Sequence, residues 1–401
     1  MKFNKWTVGL AALGVVSLAS ATRADEAKMS QVQTALSNTT LSGYVDVAAT
    51  WRPGTDSGGL AGANIPASAF SKNDGFSLNA VDIALDKPMD ESPWASGYHV
   101  ELMLGPDQPL NSGYTSRDGN YAGIRQAYVT LRTPVGNGID WKVGVFDTII
   151  GYESTSDPLD PNYTRSYGYS IEPTTHTGVL ATYKAADVLA ISAGVANTWG
   201  TTANTLNGTA VYESQKTYMG SIALTAPDSF GALKGATLNL GVIHGVDSTR
   251  ATGTRSSYYA GLTLPTPSSA VKLGAAFDYL NFNNSGAANG HDDSVWVAGL
   301  YTTIQPTDKL SFNFRGEIVD ATQIGTSVSV NPLNGYYAGH YAGELTATVQ
   351  YKLWANVLSR VEFRWDHVDG DAFGYSSTSS NPNGVMKEND FMLALNLIYQ
   401  F

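Results

Sequence analysis

Hydrophobic residues at the C-terminal end of the chain alternate with smaller and polar residues, as they do in a β-strand. Residues 390–401 read DFMLALNLIYQF. Counting back in steps of two from Phe401 gives only apolar and aromatic residues, whereas the other set is mixed and includes Asn396 and Gln400. Successive side chains of a strand point to opposite faces. The pattern predicts a strand with one lipid-facing side and one wet side. An ordinary strand of a soluble sheet is the alternative.

The same alternation recurs along the chain and predicts about sixteen strands. Within 356–366, Val361 and Phe363 share one face, and charged residues occupy the other. The predicted strands are 41–51, 77–86, 97–105, 122–132, 140–149, 175–184, 188–197, 217–226, 236–246, 256–264, 270–281, 293–304, 309–320, 341–351, 356–366 and 390–401. Charges predicted on the wet face include Arg315, Glu317, Arg360, Glu362 and Arg364. In 140–149, Asp147 falls on the apolar face, so we expect a bulge or an early strand end there.

The connections between these strands alternate between short and long. Short ones such as 305–308 carry turn residues, and long ones such as 150–174 are mostly rich in Gly, Ser, Asn and Asp. Short periplasmic turns and long external loops are typical of an outer-membrane barrel. The sequence therefore predicts an all-β fold, a transmembrane antiparallel up-and-down β-barrel of about sixteen strands. A soluble β-sandwich gives no reason for this regular alternation.

The N-terminus predicts export. Lys2 and Lys5 precede an uncharged apolar run from residue 6 to 18, and small residues follow it. This run is too short to span a membrane and is typical of a secretory signal peptide. We expect a signal peptide over 1–24, a short periplasmic lead-in or plug over 25–40, and the barrel over 41–401.

Composition and charge narrow the class of protein. The chain of 401 residues contains no cysteine, so no disulfide stabilises it. Its mean hydropathy of −0.13 is compatible with a barrel, because only alternate strand residues face lipid. Residues 1–24 carry three basic residues and no acid, so the net charge of −11 becomes about −14 after removal of the signal peptide. This acidity argues against nucleic-acid binding.

Several motifs give a family resemblance. The strand 140–149 leads into Gly-Tyr-Glu at 151–153, followed by Thr-Arg-Ser-Tyr at 164–167 and His-Thr-Gly at 176–178; the barrel opens on LSGYVD at 41–46. In their order and spacing these motifs resemble the outer-membrane β-barrel porin family of OmpL-like porins. The resemblance implies a barrel in the outer membrane and passive solute transport, without naming a solute.

Signals for other chemistry are weak. The six histidines are scattered, and neither a nucleophile motif nor a P-loop is present. Acids beside His291 and His367 could bind a divalent ion, but solvated loop charges are the simpler interpretation. We therefore predict no catalytic residues, no metal site and no cofactor.

The loop 150–174 is the segment expected to tune transport. It is long, carries prolines at 158, 161 and 173, and is rich in charge. Such a loop either folds into the lumen and narrows it or forms a surface lid; the sequence leaves both open. Selection in a narrow pore depends on its width and on facing charges. The candidate constriction residues are Glu153, Asp157, Arg165 and Glu172.

The sequence as a whole predicts a porin of the outer membrane of a Gram-negative bacterium. The function is passive diffusion of small hydrophilic solutes with a weak cation preference, and not enzymatic catalysis. The alternative is an outer-membrane barrel that acts as an adhesin, a receptor or an enzyme. Expected partners are outer-membrane lipids and lipopolysaccharide, the barrel assembly machinery and small polar solutes; nucleic acid is excluded, and a homotrimer is compatible with this size.

The terminal aromatic residue generates the first prediction. We expect Phe401 to act as an assembly signal and to help close the barrel. Deleting Phe401 should lower the amount of heat-modifiable, membrane-inserted protein, measured by the gel shift between unheated and boiled samples. Normal insertion of the deletion variant would contradict this role.

Overall fold

A computed structural model of the chain describes residues 32–33, 38–53, 74–107, 122–200, 215–246, 253–283, 293–322, 341–369, 373–374 and 386–401. It contains sixteen long strands. They are β1 (Thr40–Trp51), β2 (Gly75–Lys87), β3 (Ser96–Leu104), β4 (Ala122–Thr133), β5 (Ile139–Asp147), β6 (Thr175–Ala186), β7 (Leu189–Ala196), β8 (Thr217–Thr225), β9 (Thr237–Val246), β10 (Thr254–Pro265), β11 (Val271–Asn283), β12 (Asp293–Ile304), β13 (Leu310–Thr322), β14 (Tyr341–Trp354), β15 (Val357–Val368) and β16 (Asn389–Gln400).

Each strand pairs antiparallel with its neighbours in sequence, and β16 pairs with β1 to close the sheet. The closing register runs from Leu393 opposite Trp51 to Gln400 opposite Tyr44. Beyond it, the N–H of Phe401 donates to the carbonyl of Gly43, and the N–H of Gly43 donates to the carbonyl of Phe401, both at 3.0 Å. A closed sheet has no unpaired edge. The predicted sixteen-stranded antiparallel barrel is confirmed, and each strand lies within a few residues of its predicted position.

The two faces of the sheet differ in chemistry as the alternation predicts. In β16, Leu393, Leu395 and Leu397 are 40%, 53% and 38% exposed on the outer surface. Ala394 and Asn396 lie between them and are buried on the inner side. The wall in β13–β15 repeats the pattern, with apolar residues outside and charged residues inside. The outer surface therefore suits lipid and the inner surface suits polar groups.

Among the described residues, four register shifts interrupt the hydrogen-bonded ladders. One of them, between β3 and β4, accounts for Asp147, the charged residue that the sequence pattern places on the apolar face. Between β3 and β4 the register shifts at Glu101 and Leu102. In consequence Arg125 and Gln126, adjacent in β4, both reach the carboxylate of Glu101. Asp147 is the last residue of β5, and its carboxylate accepts a hydrogen bond from Arg125 at 2.7 Å. The expected early strand end at Asp147 is therefore present.

The turns at one end of the barrel are short, and this end also holds the start of β1 and the end of β16. We assign it to the periplasm because short turns lie there in outer-membrane barrels. One helix, α1 (Tyr167–Ile171), lies in the connection between β5 and β6. Among the described residues no helix is long and apolar enough to cross a membrane. The signal peptide at 1–24 lies outside the described residues, and the assignments of 25–40 and 41–401 as separate units stay predictions.

The outer surface generates the second prediction. Leu395 lies near the middle of β16 and faces outward, so Leu395→Arg should lower the free energy of unfolding by about 2–4 kcal/mol. Leu353→Arg is the matched control, because Leu353 is also exposed but lies beside the turn after β14, where the same substitution should cost roughly 0–1 kcal/mol. Urea unfolding in lipid vesicles measures both. Equal losses would mean that Leu395 does not face the bilayer core.

Candidate pore constriction

The connection between β5 and β6, residues 148–174, folds into the barrel; we call it the inner loop. The N–H of Thr148 donates to the carbonyl of Thr174 at 3.0 Å and closes its base. From there the loop reaches the inner face of β13–β15, where the N–H groups of Tyr163 and Thr164 donate to the two carboxylate oxygens of Glu362 at 2.5 and 2.9 Å. The segment that the sequence left as either a lumen loop or a surface lid therefore lies inside the barrel.

Local sequence signals give the inner loop a defined backbone. A 3₁₀ turn at Asp157–Leu159 has Pro158 in its first turn, where a missing N–H costs nothing. The helix α1 begins after Ser166, whose hydroxyl accepts a hydrogen bond from the N–H of Tyr169 at 3.0 Å. It ends at Ile171, and Glu172 is its C-cap, because a residue that precedes a proline, here Pro173, disfavours helical geometry. The inner loop therefore contains a 3₁₀ turn and a short helix, joined through bends at 161–164.

Three arginines of the wall bind backbone carbonyls of the inner loop. Arg315 donates to the carbonyl of Thr164 at 2.7 Å, and Arg364 donates to the carbonyl of Arg165 at 2.7 Å. Arg360 donates to the carbonyl of Asp157 at 2.9 Å and also to that of Asp160. All three arginine side chains are almost completely buried. A guanidinium presents several donors in a fixed plane, so one side chain can bind the loop and the wall together.

Carboxylates of the wall act as hydrogen-bond acceptors for N–H and O–H groups of the inner loop. Glu317 accepts from the N–H of Tyr167 at 2.5 Å, and Asp366 accepts from the hydroxyl of Tyr167 at 2.7 Å. Glu362 also accepts from the hydroxyl of Thr348 at 2.7 Å. Hydrogen bonds to charged groups contribute about 1.5–3 kcal/mol each, and a buried partner left alone costs more than the bond itself gains. Loss of a hydrogen-bonding group from the loop would therefore destabilise the wall, and loss of a carboxylate from the wall would destabilise the loop.

Apolar contacts hold the two ends of the inner loop. Ile149, Ile150 and Ile171 join a buried cluster with inner-wall residues of β6–β15. The wall has no side chain at Gly241 and Gly274, and a Cβ atom at these positions would collide with Ile150 and with the hydroxyl of Tyr152. Tyr152 also stacks on Tyr301, with ring centroids 4.0 Å apart. These two glycines thus make the notches that receive the loop.

The structure places the four candidate constriction residues in the inner loop, but in different surroundings. Glu153 bridges Arg315, at 2.6 Å, and the N–H of Ser166, at 2.7 Å. Asp157 binds Arg165 at 2.5 Å. Glu172 lies beside the carboxylate of Asp278, and burial together with that neighbouring charge holds the pKa of Glu172 well above its usual value. Their role in limiting passage stays a prediction.

Arg165 is bound by residues of the inner loop itself. It pairs with Asp157 and Asp160 and donates to the carbonyl of Thr155 at 2.8 Å. These partners belong to its own loop. Arg165 is buried and therefore connects the 3₁₀ turn to the segment before α1.

The five charges predicted on the wet face, Arg315, Glu317, Arg360, Glu362 and Arg364, all point into the barrel and are at most 3% exposed. The inner loop covers them. Sequence reasoning missed Arg125, whose guanidinium pairs with Glu101 at 2.6 Å and with Asp147 at 2.7 Å. The sequence contained one indication of Arg125. Asp147 falls on the apolar face, and an acid there needs a cation nearby.

The candidate metal ligands around His291 and His367 extend into residues outside the described ranges. Asp366 is bound to Arg364 at 2.8 Å and to Tyr167. Across the described part of the chain, no group of three or more His, Cys, Asp or Glu side chains is arranged to hold a metal ion.

Comparisons with known proteins agree with this architecture. A family model described as "Putative beta-barrel porin-2, OmpL-like" matches residues 38–401. A search of curated proteins finds no match. Solved structures with a similar fold include the outer-membrane channel DcaP of Acinetobacter baumannii, with 13% identity and a TM-score of 0.59, covering 92% of this chain and 99% of that one.

Two further outer-membrane proteins are similar at 12% identity. The anion-selective porin from Comamonas acidovorans has a TM-score of 0.58 and covers 90% of this chain and 99% of its own. OmpT of Vibrio cholerae, solved in a trimer form, has a TM-score of 0.56 with the same coverage. At this identity the likeness shows the fold alone.

The contact between Glu362 and the loop backbone generates the third prediction. Glu362→Gln replaces one acceptor oxygen by a donor, which cannot accept the N–H of Tyr163 or Thr164. Loss of about 1.5–3 kcal/mol should speed amide hydrogen exchange in 160–168 by roughly ten- to a hundredfold. Hydrogen-exchange mass spectrometry measures the rate. Glu91→Gln, in an exposed periplasmic turn, is the control and should leave it unchanged. Unchanged exchange in Glu362→Gln would show that this contact does not hold the loop.

Proposed function

The chain belongs to the OmpL-like family of β-barrel porins, and on that premise we propose that it is a passive diffusion channel for small hydrophilic solutes with a weak cation preference. It is located in the bacterial outer membrane. The observation that carries the proposal is a charged loop fastened across the inner wall of a closed sixteen-stranded barrel. A barrel of this size has an interior wide enough for water. A loop inside the barrel narrows the lumen without closing it.

The proposed cation preference rests on the acidity of the chain, whose net charge of −11 becomes about −14 after removal of the signal peptide. Part of this negative charge is offset inside the barrel, where Arg360 interacts electrostatically with Asp46 and Glu362. Other carboxylates, such as Glu344, are paired with arginine. The raised pKa of Glu172 lowers the fraction of this carboxyl that is ionised, which is consistent with a weak preference rather than a strong one.

The fold itself does not decide the sign of the preference. The porin of Comamonas acidovorans has the same fold and is anion-selective. Selectivity must therefore come from the charges of this chain, because ion selection in pores follows the facing groups and the width.

Assembly as a homotrimer is part of the proposal. Its support is the trimer form of the similar OmpT of Vibrio cholerae. Contacts with lipopolysaccharide and with the assembly machinery are proposed on the ground of location alone.

Planar-bilayer recording tests the proposal against its alternatives. A diffusion channel gives stepwise conductance and lets small sugars cross vesicle membranes. A barrel that serves as an adhesin, a receptor or an enzyme with a filled lumen passes neither ions nor sugars. Absence of conductance in correctly folded protein would overturn the proposal.

The pair of acids around Arg165 generates the fourth prediction. Arg165→Ala removes the cation between Asp157 and Asp160, so the reversal potential in a KCl gradient should shift towards K⁺. Arg165→Lys keeps the charge and is the matched control. The shift should shrink at about 1 M salt, where the Debye length is roughly 3 Å. An unchanged reversal potential at both low and high salt would remove these residues from the constriction.

A further inference from the structure

We infer that four lysines at the periplasmic mouth form an anion-attracting zone below the acidic inner loop, and that the channel consequently conducts better in one direction than in the other. This inference rests on the proposed channel function and adds to it. The cation preference then arises at the height of the inner loop along the pore axis. The lysines give the opposite preference to the periplasmic mouth.

The register of the strands places all four lysines on the inner face, close to the periplasmic turns. Lys142 is the fourth residue of β5, and Lys272 is the second residue of β11. Lys184 and Lys352 are each two residues from the ends of β6 and β14. Their cross-strand partners point inward: Lys142 lies opposite Leu180, Lys184 opposite Ala190 and Lys352 opposite Leu358, and these three partners are buried inside the barrel.

The lysines are reached by solvent, unlike the charges under the inner loop. The side chain of Lys184 is 24% exposed, and the other three lysines are partly exposed. The ammonium group of Lys142 lies 4.7 Å from the ring centroid of Tyr128. By contrast, Arg315 and Arg360 are 2% exposed and bound to the loop. Ions that pass the periplasmic mouth therefore meet the lysines directly.

Nearby acids reduce the positive charge of the mouth without cancelling it. Arg132 pairs with Asp140 at 2.6 Å, and Lys184 pairs with Asp187 at 2.9 Å in a solvent-exposed contact of little strength. Asp86 lies 3.1 Å from His99. The four lysines and Arg132 against Asp86, Asp140 and Asp187 leave a net charge of plus two. Charges in the turns reduce this to plus one, because Lys87 is outnumbered by Asp90 and Glu91. Lys234 and Asp228 offset each other at 3.0 Å, as do Lys309 and Asp308.

The acids of the barrel interior lie farther from the periplasm. Lys272 occupies the first inward position of its strand, whereas Asp278 on the same strand occupies the fourth. Glu317 is likewise the fourth inward residue of β13, and Glu362 is the third of β15. Two residues span about 6.6 Å along a strand, which tilts by roughly 40° in a barrel, so each inward position rises by about 5 Å. Lys142 occupies the second inward position of its strand, after Asp140, so the two zones are about 5–15 Å apart.

This separation is comparable to the Debye length of about 10 Å at 0.1 M salt, so the zones act as distinct fields. When the outer side is positive, K⁺ enters through the acidic zone and Cl⁻ enters through the lysines, and both accumulate between the zones. When the polarity is reversed, each ion must enter through the zone that repels it, and the middle of the pore is depleted. The current should therefore be larger when the outer side is positive.

Single-channel recording of the full-length protein tests the inference. In symmetric KCl of about 0.1 M we expect a current ratio of roughly two between the polarities, falling towards one at about 1 M, where charges are screened within about 3 Å. The chain has no cysteine, so Lys309→Cys in a periplasmic turn can be biotinylated. Current block by streptavidin added to one chamber then reports the orientation.

The deciding variant is Lys142→Gln combined with Lys184→Gln, Lys272→Gln and Lys352→Gln. It should conduct with a ratio near one and shift its reversal potential towards K⁺. Lys309→Gln changes a charge at the same end but in an exposed turn, and should behave as the unmodified protein. Linear current at low salt in the unmodified protein, or rectification that survives in the fourfold variant, would overturn the inference. A complete lack of conductance would instead refute the proposed function.

Discussion

Every backbone N–H and C=O group that enters the bilayer must find a partner within the protein, because no water is available there. In this chain that constraint is met by closure of the sheet. The ladder between β16 and β1 continues to the mutual hydrogen bonds of Phe401 and Gly43. Closure fixes which residues face lipid and which face the interior. The inner surface then becomes a polar compartment in which arginines and carboxylates can be buried only if they are paired or hydrogen-bonded.

The inner loop satisfies those buried charges, and the charges in turn hold the loop. Arg315 contacts Glu153 and Glu344 and also the carbonyl of Thr164. Removal of either partner from such a contact leaves a buried charge without compensation, which is more costly than the contact is stabilising. The same chemistry explains the axial order of charge. Arg315, Arg360 and Arg364 lie where the inner loop covers the wall, and the four lysines lie where the wall meets water near the periplasm.

The strands and their faces could be predicted from the sequence because both depend on a local period of two. A short segment such as 356–366 shows which residues point inward without reference to any other part of the chain. The inner loop could not be assigned in this way. Tyr163 and Glu362 are 199 residues apart, and nothing in either neighbourhood indicates the other. Arg125 was missed because a one-residue register shift beside Glu101 places two adjacent residues on the same face. The partners of Arg165 are Asp157 and Asp160 of its own loop, and the period of two that defines the strands gives no information on contacts within a loop.

We propose that the inner loop lies in the path of the solutes and sets the width of the channel. Replacement of residues 155–170 by a short Gly-Ser linker is the direct test of this role, with heat modifiability as the check on folding. We expect a higher single-channel conductance and passage of larger sugars through the shortened variant. If the folded variant has the conductance and the size limit of the unmodified protein, the inner loop does not control passage.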